Sequence, residues 1–192
     1  MKTTTLEELS ATMTADGPAL TNSTVRTSIL DPSAKIVIPA NFWEVGKQLE
    51  LNATGRISNV VTTPGTLTLD LDFLNPTPAH VIVATSQAMG LNVVAKTNVT
   101  WSLYLLLTCK TVGAGTAATL MFTGNWMSES VVGSPLPSAG GSGALSIPAS
   151  APAVGTGFDS TVAQTLDMFA TFSVNTATTS IQCHQFSLLT LN

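Results

Sequence analysis

The sequence predicts an all-β fold in which two sheets pack as a sandwich, and three observations lead to that prediction. Runs with strand composition follow one another from residue 25 onward with hardly a helical pattern between them. Several runs alternate apolar and polar residues, which is typical of strands that bury one face. Clusters of Gly, Pro, Asn and Asp separate the runs and mark turns. With 192 residues, the chain is long enough to bury a substantial core in one domain.

The predicted strands cover most of the chain beyond its first residues. They are Val25–Leu30, Lys35–Ile38, Gln48–Val60, Thr66–Leu74, His80–Thr85, Trp101–Lys110, Ala117–Met127, Val162–Val174 and Thr178–Leu191. The turns are Asp31–Ala34, Thr62–Thr66, Asn75–Pro78, Val112–Thr116 and Asn175–Thr178. Many antiparallel strands with short turns and one long crossing fit a double-sheet jelly roll. A closed barrel and an immunoglobulin-like sandwich are the alternatives.

The run Gln48–Val60 has the clearest alternation. Its apolar row is Leu49, Leu51, Ala53 and Ile57, and its polar row includes Glu50, Asn52 and Arg56. The apolar row is expected to face the core, and the polar row is left free to meet neighbouring subunits.

Three further features concern individual side chains in the predicted strands. In Thr66–Leu74, Asp70 and Asp72 share the face opposite the leucines and are expected to be solvated or to contact a partner. Phe169 lies on the polar face of Val162–Val174, where a monomer would expose it. In the last run the apolar phase changes between Cys183 and Phe186, which predicts a β-bulge near Gln185.

The chain is expected to consist of an N-terminal arm, residues 1–24, and a jelly-roll domain, residues 25–192. The stretch LEELSATM in the arm could form two turns of helix, which is marginal in isolation. The segment of residues 131–157 is rich in Pro, Gly, Ser and Ala and predicts a long exposed loop.

Composition narrows the function. Charged residues make up 9% of the chain, against about 25% in an average soluble protein, and the net charge is -4. The basic residues are scattered singly, so nothing predicts binding to nucleic acid or to an anionic membrane. The sequence lacks a stretch of about 20 apolar residues and a signal-like N-terminus, so synthesis in the cytoplasm without secretion is expected.

Groups that carry chemistry are sparse and scattered. His80 and His184 have no other histidine or acid at close spacing, so neither predicts a metal site. Cys109 and Cys183 are interpreted as small buried hydrophobes, and a disulfide between them is disfavoured in a reducing cytoplasm. The sequon asparagines Asn22, Asn52 and Asn98 are attributed to composition.

The sequence lacks the complete pattern of three kinds of enzyme or binding site. GSGAL at Gly141–Leu145 falls in the predicted loop and not in a strand–turn–helix elbow, so it does not predict a serine hydrolase. Asp70 and Asp72, about 7 Å apart by strand geometry, lack the neighbouring aromatic residues of a glycosidase. A glycan platform would need Trp43, Trp101, Trp126 and Tyr104, for which core packing is favoured. The sequence therefore predicts no catalytic, cofactor-binding or metal residues, no cofactor, and no enzyme.

Three segments resemble the jelly-roll structural proteins of tailed bacteriophages. They are Thr27–Ser58, Trp101–Gly124 and Pro152–Asn192, within which the runs PANFW, VGK, GRIS, GFDST and NTATTSI are the most specific. The resemblance extends from Thr27 to Asn192.

The resemblance implies a virion protein, namely a capsid cement (decoration) subunit, commonly a trimer, which sits on the head shell. Its implied partners are copies of itself and the phage major capsid protein, and its implied location is the capsid surface. A head spike, a fibre or glycan-binding module, and a capsid subunit are the alternatives. The family carries no transferable catalytic motif, so no functional residue is assigned from it.

Overall fold

The computed structural model describes residues 7–60, 62–74, 80–133, 143–148 and 153–191. The strands in chain order are β1 (Glu7–Thr12), β2 (Leu20–Thr21), β3 (Thr27–Ser28), β4 (Val37–Ile38), β5 (Gln48–Asn59), β6 (Thr66–Leu74), β7 (Val81–Thr85), β8 (Met89–Leu91), β9 (Lys96–Thr111), β10 (Thr119–Ser128), β11 (Val131–Gly133), β12 (Ala144–Ile147), β13 (Ala153–Val154), β14 (Gln164–Phe172) and β15 (Ser180–Leu191). A 3₁₀ turn at Pro32–Ala34 is the helical element among these residues. The prediction of an all-β fold is confirmed.

The strands form two antiparallel sheets. The large sheet has the order β1-β15-β5-β9-β10-β12, with β2 also paired to β15 and β13 to β10. The small sheet has the order β11-β8-β6-β14-β3, with β4 also paired to β14 and β7 to β6. The chain crosses between the sheets after β2, β4, β5, β8, β10, β11, β13 and β14. Two packed sheets confirm the sandwich, and the order is consistent with a jelly roll, whose topology stays a prediction.

One apolar layer between the sheets forms the core. It takes the inward row of each long strand, including Leu49, Leu51, Ala53 and Ile57 of β5 and Leu67, Leu69, Leu71 and Phe73 of β6. All of these side chains are buried, as their alternation predicts. Full burial of each large apolar side chain contributes about 1.5–3 kcal/mol, so these rows hold the two sheets together.

An aromatic cluster closes the core at the end where β5 begins. Trp43 packs on Phe73 and on Phe158, with ring centroids 5.9 Å apart in both pairs, and Phe73 lies 5.0 Å from Phe158. Each pair is tilted or edge-to-face, the arrangements that aromatic quadrupoles favour. The rings come from three separate parts of the chain, so the cluster joins two connecting segments to the small sheet.

The segment predicted as an arm contributes to the large sheet. Residues Glu7–Thr12 form β1 and pair with β15, from Glu7 opposite Leu191 to Thr12 opposite Ser187. The expectation of a helix there is therefore wrong. A short helix is marginal alone, whereas the open edge of β15 offers a ladder of backbone hydrogen bonds. Residues 1–6 of the predicted arm lie outside the described residues.

The segment predicted as a long loop is also partly sheet. Within residues 131–157, β11 pairs with β8, whereas β12 and β13 both pair with β10. The prediction of one continuous loop is wrong for these strands, because Pro- and Gly-rich composition does not reveal short edge pairings. The parts of the loop at residues 134–142 and 149–152 lie outside the described residues.

The predicted bulge in β15 is confirmed. Cys183 pairs with Gly55 and Gln185 pairs with Thr54, so His184 is the extra residue. Gly55 is required beside it, because a Cβ at this position would lie 1.9 Å from the Gln182 carbonyl oxygen. The bulge thus depends on a close approach of two backbones that only glycine permits.

Gly55→Ala should therefore lower the free energy of unfolding by more than about 2 kcal/mol, since the obstacle is backbone and cannot rotate away. Denaturant unfolding followed by tryptophan fluorescence measures this loss. Thr54→Ala, one residue away on the solvent side, is the matched control and should change stability by less than about 1 kcal/mol. Equal stability of the two variants would contradict the proposed packing at the bulge.

Candidate functional site

The described residues hold no obvious catalytic or metal centre. Among them, no group of three or more His, Cys, Asp or Glu residues could hold a metal ion. Within the same residues, no helix is long and apolar enough to cross a membrane. The candidate functional features are therefore surfaces, and the two outer faces of the sandwich differ sharply in their charge.

Both histidines have an acidic partner that sequence spacing did not reveal. His80 Nδ1 lies 3.2 Å from Asp72 Oδ2, and His184 Nδ1 lies 2.8 Å from Asp16 Oδ1. His184 reaches Asp16 because it is the extra residue of the bulge. Neither imidazole is hydrogen-bonded to a serine or threonine hydroxyl within the part of the chain that the structure describes. The two pairs therefore lack the nucleophile that a catalytic triad needs.

An ion network covers the outer face of the small sheet. Arg26 Nη2 donates to Asp72 Oδ1 at 2.6 Å, and Arg26 Nε donates to Asp70 Oδ2 at 3.1 Å. Although burial alone would lower it, the pKa of Arg26 is raised by its hydrogen bonds to Asp72 and Asp70. Asp72 is fully buried, so the expectation that Asp70 and Asp72 are solvated is wrong.

Phe169 belongs to the same network. It is only 9% exposed, because Arg26 lies over its ring at 4.1 Å from the centroid and the His80 ring packs edge-on at 5.4 Å. The expectation that a monomer would expose Phe169 is therefore wrong. Sequence patterning could not have found this contact, since Arg26 is 46 residues away from Asp72 and far from Phe169 in the chain.

A second ion pair neutralises a carboxylate of β14 on the same outer face. Lys35 Nζ lies 2.9 Å from Asp167 Oδ2, and Ser28 Oγ donates to Asp167 Oδ1 at 2.8 Å. The carboxylates on this side are thus matched to cations from the segment before β5. Contacts within the chain thus pair the carboxylates of this face with cations.

The outer face of the large sheet is different, because its central part is almost without charge. This part, called below the neutral face, lies on four strands between Arg56 at one end and Lys110 at the other, and its residues are Gln48, Glu50, Asn52, Thr54, Ser102, Tyr104, Leu106, Thr108, Met121, Thr123, Asn125, Met127, Gln185, Ser187, Leu189 and Leu191. All are accessible to solvent, and their strand neighbours point into the core. Of this set, Glu50 alone is charged at neutral pH.

Cross-strand hydrogen bonds satisfy many polar groups of the neutral face. Gln48 Nε2 donates to Thr108 Oγ1 at 3.0 Å, and Thr54 Oγ1 donates to Gln185 Oε1 at 3.1 Å. Asn52 Nδ2 donates to Glu50 Oε1 at 3.1 Å. Polar groups that already have partners lose less when a second surface covers them. The desolvation cost of covering these polar groups of the neutral face with another protein is therefore lowered.

The apolar members of the neutral face are partly or fully exposed. Leu106, Leu189 and Leu191 are half-buried, and Met127 is 54% exposed. Partial burial and then the Glu50 charge raise the pKa of Tyr104 beside them, so this phenol stays neutral. The neutral face therefore combines few charges with solvent-accessible Tyr and Met side chains, and this composition is typical of the core of a protein–protein interface.

Shallow clefts flank this face. One, of about 360 Å³, lies at the bulge and is lined by residues including Thr12, Asn52 and Gln185. Another, of about 690 Å³, contains the ion pair between Lys96 Nζ and Glu129 Oε2, which are 2.7 Å apart. Both are wide open. Phe186 lines the first cleft but is buried and cannot offer its ring face to a sugar, and the second cleft has no aromatic lining residue.

The tryptophans considered for a glycan platform lie in the core. Trp43 is 5% exposed, while Trp101 and Trp126 are fully buried and stack at 5.0 Å. Their expected core packing is confirmed. Tyr104 is the exception, since it lies on the neutral face.

Three of the runs quoted for the bacteriophage resemblance, PANFW, VGK and GFDST, lie at the end of the sandwich where β5 begins, whereas GRIS and NTATTSI pair with each other at the other end of β5. Asn41 N of PANFW donates to Ser160 O of GFDST at 2.9 Å, and Gly46 N of VGK donates to Cys109 O at 2.9 Å. The exposed valines Val45 and Val112 stand beside these bonds. Runs far apart in the sequence therefore build one hydrogen-bonded end.

Both cysteines are free and buried, as expected. Burial raises the pKa of the Cys183 thiol to about 12, and burial also raises the pKa of Cys109. Thiols that stay protonated in the core are poor nucleophiles, so neither is a candidate catalytic group.

No protein-family model matches the chain, and no curated protein matches it.

Arg26→Met should lower the free energy of unfolding by roughly 2–3 kcal/mol, because it leaves the buried Asp72 without its cation. This is less than the cost of breaking a fully buried pair, since the Arg26 side chain is 29% exposed. Chemical denaturation of the variant measures the loss. Lys96→Met, which breaks a pair whose Glu129 is 61% exposed, is the control and should cost less than about 1 kcal/mol. Equal losses would contradict a structural role of the Arg26 network.

The Cys183 thiol should resist an aromatic disulfide reagent at pH 8 in the native protein and react rapidly in denaturant. The raised pKa also has a stability consequence. The unfolded thiol ionises above pH 9 and the folded one near 12, so this contribution to stability is present below pH 9 and is lost as pH rises between them. Stoichiometric labelling of native protein within the mixing time would contradict the buried placement.

Proposed function

We propose that this protein is a structural virion subunit of the capsid cement type, which acts through protein–protein contacts on the head of a tailed bacteriophage. The observation that carries the proposal is the neutral face, a broad, ordered surface of the large sheet with a single charge. A soluble protein that worked alone would ordinarily carry far more charge on such a surface.

Two further observations support this function. The small sheet is closed by the Arg26 network, so the rigid sandwich presents different properties on its two sides. Two of the runs that resemble phage structural proteins, PANFW and GFDST, are hydrogen-bonded to each other, so the likeness includes segments that are distant in the sequence and neighbours in space.

The proposed state is a closed trimer that meets the phage major capsid protein. Closed symmetry limits assembly to a defined size, which suits a subunit that adds to a shell already built. In this arrangement the neutral face contacts the shell, and other surfaces hold the trimer together. Residues 1–22 of the N-terminal arm are proposed to tether neighbouring subunits. Within them Glu7–Thr12 pair with β15 of the same chain, and residues 1–6 lie outside the described residues.

The mass of the purified protein by sedimentation equilibrium across a concentration series tests this function. A trimer is expected across the concentration series. A monomer at all concentrations would contradict the cement trimer and move the proposal to a spike, fibre or glycan-binding module. Large closed shells would make the chain a capsid subunit.

A further inference from the structure

Among the acidic side chains that the structure describes on strands, Glu50 is the one with no basic side chain within ion-pair distance. Asp16, Asp70, Asp72, Asp167 and Glu129 all lie within ion-pair distance of a basic side chain. Asp31 and Asp159 instead accept hydrogen bonds from the turns that follow them, and Glu44 also has a partner. Among the described side chains that surround it, Glu50 is bonded to the Asn52 amide and has no cationic partner.

The charges nearest to Glu50 along the sheet are distant. Arg56 stands further along the same strand at a separation of about 20 Å by strand rise. Lys110 lies about 13 Å beyond Leu106, the residue paired with Glu50 on β9. A carboxylate at the middle of the neutral face is thus isolated from both cations.

The area of the neutral face is sufficient for a specific contact. Four strands about 4.8 Å apart and about 25 Å long cover roughly 500 Å², and the flanking edge strands bring this to roughly 750 Å². A standard interface buries about 800 Å² on each partner. Covering this face would desolvate Glu50, which is tolerable only if the partner brings a positive charge.

We propose that the neutral face docks a different protein that presents a flat, neutral surface with one lysine or arginine opposite Glu50. A second copy of this chain fits poorly, because a twofold axis near Glu50 would bring the two Glu50 carboxylates together. Placing Arg56 or Lys110 of the copy opposite Glu50 instead needs an offset of about 13–20 Å, which would uncover most of a face about 25 Å long. This assignment rests on the proposed function and adds to it the chemistry of the shell surface that receives the subunit.

A charge-reversed copy of the chain serves as the probe, because Glu50→Lys presents the same flat face with an ammonium group at its centre. Wild type and Glu50→Lys are studied separately and as an equimolar mixture by sedimentation equilibrium. The mixture should associate beyond the mass of either protein alone, roughly tenfold more tightly, and the gain should vanish in about 1 M NaCl. Carbodiimide coupling should join Glu50 to the introduced lysine.

The matched control is Glu44→Lys, the same charge reversal at an exposed position in the connection before β5, outside the neutral face. Mixed with wild type, it should give no added association, and circular dichroism verifies that both variants are folded. Association of the mixture no stronger than this control would overturn the proposal. Face-to-face pairs of wild type alone, shown by cross-links between neutral faces, would overturn it in favour of a second copy. A trimeric wild type with a failed mixture would leave the proposed function standing, whereas a monomeric wild type would remove the function whatever the mixture does.

Discussion

The rest of the structure depends on the burial of one uncharged layer between two sheets. The inward rows of β5, β6, β9, β14 and β15 are apolar over most of their length and uncharged throughout, and they are the surface that each sheet removes from water. Because no charge fits in that layer, every charged side chain must lie on an outer face or in a connection. With 9% charged residues, the chain then has few charges to distribute over two outer faces. How it distributes them sets the character of each side.

The two outer faces resolve this constraint in opposite ways. The small sheet concentrates carboxylates at Asp70, Asp72 and Asp167 and covers them with Arg26 and Lys35 from the segment before β5. That network also fastens the segment to the sheet through the Phe169 ring. The neutral face of the large sheet carries rows of hydroxyl, amide and apolar groups with Glu50 as its single charge, and Arg56 and Lys110 lie beyond its two ends. One face thus has its charges paired within the chain, and the other is free to contact a partner. The proposed function follows from this asymmetry.

Local alternation was sufficient to predict much of this architecture. The bounds of β6 agree with the prediction at both residues, and the phase change near Gln185 located the bulge. Local alternation could not predict pairing between distant segments. β1 is a strand because it pairs with the edge of β15, and β12 is a strand because it pairs with the edge of β10. Neither pairing produces a periodic pattern in the sequence. The same limit hid the Arg26 network, since nothing in the sequence near Asp72 indicates a cation 46 residues earlier. The neutral face was foreseen only in part, through the polar row of β5, because its other rows depend on strand order.

The central claim is that the neutral face is the surface through which the protein works. Hydroxyl-radical footprinting read out by mass spectrometry tests it most directly, with the free protein compared with the protein in virions that carry it. Met121, Met127 and Tyr104 report on the face, and Val25 and Val37, exposed at the opposite side of the sandwich, report on the rest of the surface. The account predicts strong protection of the first group in the virion and little change in the second. Equal labelling of the neutral face in both states would contradict it.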